Sequence, residues 1–264
     1  MTARAILIDL DNTLLLEDAA TFAALARASA AAGPDAAAVA AKAAEAADRL
    51  FRDANVFPYA DRIGIWWGEA LWGDFGGDDP GLRAMRAFAP GFRGAVWRAA
   101  LSEGGLDGGR AAEYSDAFQR ARRSDWAIDP AAIPMLDALA PRYRLALVTN
   151  GAPAVQREKL EATGLASRFE AIVISGELGI GKPEPAIFTA ALARVGASAE
   201  DAVMVGDSLE RDIAGAHAAH IRSIWLDRDR SGAPASADAR ITSLDELPAS
   251  LDSIGAAIPA ARRA

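Results

Sequence analysis

Cysteine is absent, and histidine occurs only at His217 and His220. The chain therefore has no disulfide, no thiolate nucleophile and no Cys-ligated metal. A histidine-rich zinc centre would lack ligands. Positive charge is also in short supply. Lys and Arg number 28 against 36 Asp and Glu, which gives a net charge of −8 and a pI near 4.9. Nucleic-acid binding needs clustered Lys and Arg against phosphates, so no nucleic-acid partner is expected. One local site can still oppose the global sign and hold a small phosphate. Long apolar runs are missing too: no stretch approaches the roughly 20 residues of a spanning helix. The opening MTARAILIDLDNTL ends its short apolar run in acids and reads as neither signal peptide nor membrane span. These absences lead us to expect a soluble, cytoplasmic protein without a membrane partner. With 52% hydrophobic and 24% charged residues, the 264-residue chain has an ordinary globular balance and forms one large domain or two smaller ones.

The pattern along the chain changes twice. Ala5–Leu10 is a short apolar run closed by acids, the mark of a buried strand. From about Glu17 to Trp126, alanine and helically spaced charges replace strand-like runs, with breaks expected at Gly33-Pro34, Gly76-Gly77 and Gly104-Gly105. After Asp129-Pro130, helices and β-rich runs alternate. Helices near Ala131–Ala140, Pro153–Thr163, Glu184–Val195 and Glu210–Ala219 precede strands Arg144–Thr149, Ala171–Ser175, Ala202–Asp207 and Arg222–Leu226. This alternation predicts an α/β fold, a Rossmann-like parallel sheet with helices on both faces. The expected core spans residues 1–16 and 127–264, and residues 17–126 form an α-helical insertion. A helix or loose end is expected after Ser243.

Open parallel sheets bind ligands beyond the carboxyl ends of their strands. The first strand delivers Asp9 and Asp11 to that edge, and the second delivers Thr149, Asn150 and Gly151. The fourth delivers Gly206, Asp207 and Ser208, with Asp212 a turn later, and Lys182 precedes a helix opened by proline. Clustered carboxylates repel unless a cation sits among them, and an oxygen-only donor set points to magnesium. A lysine and a hydroxyl beside it would hold a phosphate. An Asp there can serve as a covalent nucleophile, and a second Asp two residues on as acid and base.

The segments IDLDNTL, LVTNG, GIGKPEPAIF and VMVGDSLERDI resemble, in order, the four motifs of the haloacid dehalogenase-like hydrolase superfamily. The insertion resembles that superfamily's C1-type cap. The stretch from TNGAPAVQREKLEATGL to VGDSLERDIAGA is most similar to acylneuraminate-9-phosphatases and pyrimidine nucleotidases. The resemblance implies a Mg2+-dependent phosphomonoesterase acting on a small phosphorylated metabolite through an aspartyl-phosphate intermediate. Asp9 would be the nucleophile. Asp11 would protonate the leaving alcohol, activate water and offer its backbone carbonyl to the metal. Thr149 and the amides at Asn150 and Gly151 would hold phosphoryl oxygens. Lys182 would neutralise charge, Asp207 would bind the metal, and Asp212 would bind it through water or orient Lys182.

Other readings are weaker. The run Gly176–Lys182 fits much of a P-loop, but Pro183 stands where Ser or Thr is required. Dehalogenases of the superfamily use no magnesium and lack the acid that Asp11 supplies. Phosphotransfer or mutase chemistry would use the same residues. In the insertion, Arg62 and Trp66 lie one helical turn apart and are expected to share a face. Trp66, Trp67 and Trp72 are expected to pack its core; the alternative is that some of these and Arg62 line the mouth of the site and contact the leaving group, where Arg122 and Arg123 could also reach a charged substrate. His217 and His220 are expected at the surface or in packing, with His220 in the left-handed conformation usual for glycine.

Overall fold

The computed structural model describes residues 5–231 and 236–256. Strand β1, Ala5–Ile8, is buried along its whole length. The chain then enters helices α1 (Glu17–Ser29), α2 (Ala36–Arg52), α3 (Phe57–Ile63), α4 (Trp67–Ala70), α5 (Pro80–Glu103) and α6 (Ala111–Arg123). It returns through α7 (Ala132–Leu139), β2 (Arg144–Thr149), α8 (Pro153–Thr163), β3 (Ala171–Ile174), the short α9 (Ser175–Leu178), α10 (Pro185–Val195) and β4 (Ala202–Gly206). A π-turn over Leu209–Ile213 runs into α11 (Ala214–Ala218), followed by β5 (Arg222–Leu226), β6 (Ala239–Ile241) and α12 (Leu247–Ala256). The expectation for the tail beyond residue 256 lies outside the described residues.

All six strands are parallel, in the order β3-β2-β1-β4-β5-β6. Strand β1 is central, with Ile8 in register with Leu147 of β2 and Val205 of β4. The order reverses at β1, so its carboxyl end is the switch point at which such sheets place a ligand. Both faces are buried, which is why the strands read as continuous apolar runs. Ala5, Leu7, Ala146, Val148 and Val173 pack with Ile187, Phe188, Ala191 and Val195 of α10. Ile6 and Ile8 alternate onto the other face and are also fully buried.

Contacts divide the chain into two compact units. One contains the chain up to Leu15, Ile128–Thr149 and the chain from Thr163, and holds the sheet. The other contains Leu16–Ala127 and Asn150–Ala162. In this division α8 up to Ala162, which the sequence placed in the core, groups with the inserted helices. Within that helical unit, Lys159 of α8 reaches Glu69 at 2.8 Å, and Arg123 reaches Glu158 at 2.7 Å. These side-chain links cannot be read from local pattern.

The helical unit has its own core. On α2, Val39, Ala43, Ala46, Ala47 and Phe51 recur at helical spacing and are buried. Asp79 caps α5 by accepting from the amides of Gly81 and Leu82, with Pro80 at the first helical position. The expected breaks lie between helices, with Gly33, Gly77 and Gly105 all at positive φ. Among the described residues, no helix is long and apolar enough to cross a membrane.

Candidate active site

The carboxyl edge of the sheet gathers its chemistry around Asp9. This residue follows β1 and donates its amide to Val205 O at 3.0 Å, which fixes it against β4. Its side chain is almost fully buried. One carboxylate oxygen accepts from Lys182 Nζ, and the other accepts from Thr13 Oγ1 at 3.0 Å. Lys182 Nζ also lies 2.7 Å from Asp212 Oδ1. The carboxylates of Asp9, Asp207 and Asp212 each bring an oxygen within 4.8 Å of the others.

Local backbone explains this convergence. After β4, Ser208 Oγ accepts from Arg211 N, while Ser208 O accepts from both Asp212 N and Ile213 N. The resulting π-turn departs from the plain helix expected over Glu210–Ala219, and it is a form often found at functional sites. It turns the Asp212 carboxylate back onto Ser208 N at 3.0 Å. A Cβ at position 206 would stand 2.2 Å from Asp212 Oδ2, so only glycine fits there. Trp225 Nε1 donates to Asp207 O at 2.8 Å and anchors the end of β4 from β5.

Three carboxylates face one buried ammonium. Burial first, and then the neighbouring acids, push the Asp9 carboxyl up to about 7 against the pull of Lys182. Burial, Asp9 and Asp212 push Asp207 up to about 8. Burial works against the Lys182 ammonium, but Asp212 and Asp9 outweigh it and hold its pKa above the usual lysine value. A dication would relieve this repulsion by taking the place of the protons, so the donor set fits a hard, oxygen-binding cation.

The other expected residues are placed as follows. Asp11 is half-buried in the turn after β1, where Leu10 O accepts the amides of Thr13, Leu14 and Leu15, and Asn12 takes a left-handed φ of 59°. Its carboxylate is not part of the three-acid cluster. Thr149 ends β2 and is fully buried. Asn150 and Gly151 group with the helical unit. There the Gly151 amide donates to Ile63 O at 2.9 Å, so in this conformation it is not offered to a ligand. Gly151 has φ 133°, and a Cβ on it would meet Gln156 Nε2 at 2.6 Å.

The chain fits the description of a haloacid dehalogenase-like hydrolase over residues 3–220. It belongs to that family. It is 42% identical to a phosphoserine phosphatase of Thermus thermophilus, across 92% of this chain and 97% of that one. It is 36% identical to an N-acylneuraminate-9-phosphatase of Rattus norvegicus, across 60% and 66% of the two chains. A 2-haloacid dehalogenase structure from Pseudomonas syringae superposes with a TM-score of 0.58 at 28% identity, covering 96% of this chain and 99% of that one.

Several details of the helical unit depart from the sequence reading. Gly64, at φ 77°, ends α3 after Ile63, so Trp66 lies outside the helix and does not continue the face of Arg62. Arg62 stacks on Tyr59 instead, with its guanidinium carbon 5.4 Å from the ring centroid. Arg122 is fully buried and pairs with Glu17, and Arg123 binds Glu158 and Trp72 O. Arg122 is thus committed to packing, whereas Arg123 keeps 36% of its side chain exposed. Trp72 is fully buried, whereas Trp66 and Trp67 meet as a tilted pair with ring centroids 4.8 Å apart and are only partly covered. His220 adopts φ 59°, and His217 Nε2 lies 3.1 Å from Ser223 Oγ.

Sequence reasoning missed Thr13, Trp225 and Arg228. Thr13 lies inside the first motif four residues after Asp9, and that spacing is the signal that would have marked it. Besides Asp9 it reaches Asp207 Oδ1 at 3.4 Å.

Proposed function

We propose that this family member is a phosphomonoesterase that removes phosphate from a small metabolite with the help of a divalent cation. The observation that carries the reading is a buried lysine, Lys182, bridging Asp9 and Asp212 beside Asp207 at the sheet's switch point. Asp9, Asp207 and Asp212 would hold Mg2+ through side-chain oxygens, and Asp11 through its backbone carbonyl. When bound, the ion neutralises charge on the transferring phosphoryl group.

The chain's own residues supply the rest. An Asp9 oxygen attacks phosphorus while the bond to the leaving oxygen breaks, and Asp11 gives that oxygen its proton. Water then attacks the aspartyl phosphate as Asp11 takes a proton from that water, breaking the Asp9–phosphorus bond, releasing inorganic phosphate and restoring both carboxyls. Lys182 stays protonated and offsets negative charge throughout. Thr149 and Asn150 orient phosphoryl oxygens, and Gly151 supplies the turn rather than its amide.

Asp11 separates this reading from dehalogenation, which has no leaving alcohol to protonate. The relative with near-complete coverage makes phosphoserine the first compound to test, followed by sugar phosphates, acylneuraminate phosphates and nucleoside monophosphates. The test is phosphate release from that panel with Mg2+ and with chelator, using Asp9→Asn as control. Turnover that needs the cation and disappears in Asp9→Asn is expected. Release that persists in Asp9→Asn, or halide release from 2-haloacids without phosphate release, would overturn the proposal.

A further inference from the structure

Arg228, on the loop after β5, holds the turn that carries Asp11. Its Nε donates to Asn12 O at 3.3 Å, one terminal nitrogen donates to Thr13 O at 2.6 Å, and the other pairs with Asp129 Oδ2. A planar guanidinium satisfies two carbonyls and a carboxylate in one fork, which an ammonium on a flexible stem does not reproduce. The fork is itself held firmly. Asp129 accepts the amide of Ala131 at 2.7 Å and gives its own amide to Leu14 O at 2.9 Å. Next to Arg228, Asp227 accepts from Ser231 N and pairs with Arg240.

The turn needs such support. Asn12 is held at φ 59°, in the left-handed region that few non-glycine residues adopt. The two carbonyls that Arg228 binds belong to the residues directly after Asp11. One of those residues, Thr13, carries the hydroxyl that reaches both Asp9 and Asp207. Freed from Arg228, the Asn12 and Thr13 peptides can rotate, and the Asp11 carboxyl moves with them.

We infer that Arg228 is a positioning residue for the acid–base step, locking the Asn12–Thr13 backbone so that Asp11 meets the leaving oxygen. The inference rests on the phosphomonoesterase reading and makes a demand that mere structural support does not. An alkoxide leaves only when protonated, whereas p-nitrophenolate leaves without a proton. The effect of losing Arg228 must therefore depend on the leaving group.

The test compares kcat/KM, which is set by the steps up to departure of the leaving group, for phosphoserine and p-nitrophenyl phosphate. In Arg228→Met, kcat/KM for phosphoserine should fall ~10–100-fold, the order of a general acid's contribution. For p-nitrophenyl phosphate it should fall no more than ~3-fold, and added guanidinium ion should restore part of the phosphoserine rate. Arg228→Lys keeps the charge without the fork. It should show the same split, and it decides the matter if Arg228→Met does not fold. Equal losses on both esters, or no loss on either, would overturn the inference while leaving the phosphatase reading intact. If phosphoserine is not turned over, the alkyl phosphate of the panel that is hydrolysed fastest takes its place; a wild-type enzyme inactive on p-nitrophenyl phosphate and on every ester of the panel would sink the phosphatase reading and this inference with it.

Discussion

Lys182 places its ammonium 2.7 Å from Asp212 and against Asp9, so one lysine bridges the acid that follows β1 and the acid of the turn after β4. Both partners are buried, and no water is needed to complete the bridge. Lys182→Met would leave the acids facing each other without it. Turnover should fall by at least ~10²–10³-fold, as for loss of one electrostatic contact to a transition state. Stability in chelator should fall by about 3–5 kcal/mol, the usual cost of removing one partner of a buried pair. Urea titrations with and without Mg2+ check this, because the cation should recover part of the loss. Activity within tenfold of wild type would remove Lys182 from the mechanism.

The metal-free site also sets a pH dependence. The carboxyls of Asp9 and Asp207 are pushed up to about 7 and about 8, chiefly by burial. Between the ordinary carboxylate range and those values the folded state holds protons that the unfolded chain has lost. Stability from this pair is therefore complete below pH 4 and drains away as pH rises through 7 and 8. In chelator, Tm should decline from pH 6 to 8.5 more steeply than in Asp207→Asn. With Mg2+ the slope should flatten or reverse, because cation binding displaces the same protons. At a hundredfold excess over Kd the cation should add about 2.7 kcal/mol. Identical pH profiles with and without Mg2+ would contradict a cation at these acids.

In the helical unit, Lys159 lies 2.8 Å from Glu69 and 3.4 Å from Glu17, and Arg122 pairs with Glu17 as well. All four side chains are essentially inaccessible to water. Lys159→Met should therefore cost this unit about 3–5 kcal/mol. Adding Glu69→Gln should return at least ~1 kcal/mol, because the stranded carboxylate is then neutral. Trp72 and Trp126 stack on Arg122 at 5.0 and 5.2 Å, so tryptophan fluorescence reports on this network during denaturation. Strictly additive losses would show that the ion pair contributes no coupling.

What sequence could reveal depended on how local its cause is. Strands β2 and β5 begin and end where the apolar runs do, because a buried parallel strand must be apolar on both faces. Asp9, Asp207 and Lys182 drew notice in the sequence because each sits just beyond such a run or before a proline-led helix, whereas the return of Asp212 onto them depends on the π-turn. Strand β6 went unread: three residues, only Ile241 buried, give no pattern. The end of α3 went unread because Gly64 interrupts a face that residue spacing alone would continue. The allegiance of α8 depends on Lys159 meeting a glutamate 90 residues away, and Arg228 meets Asn12 across 216. Such pairings are set by topology, to which local periodicity is blind.

His220 closes α11 at φ 59°, with its amide on His217 O at 3.0 Å and the next amide, of Ile221, on Ala216 O at 2.8 Å. The backbone there is the left-handed exit that glycine normally provides. The imidazole is exposed, so removing it sacrifices little packing. His220→Gly should therefore relieve about 1 kcal/mol of backbone strain. In a chain of this size that corresponds to a rise in Tm of about 2–4 °C. His220→Ala keeps a Cβ at positive φ and should melt no higher than wild type. An equal rise in both variants would trace the effect to loss of the imidazole rather than to the backbone. In neither variant should kcat/KM change, because α11 begins beyond Asp212 and His220 touches none of the site's acids.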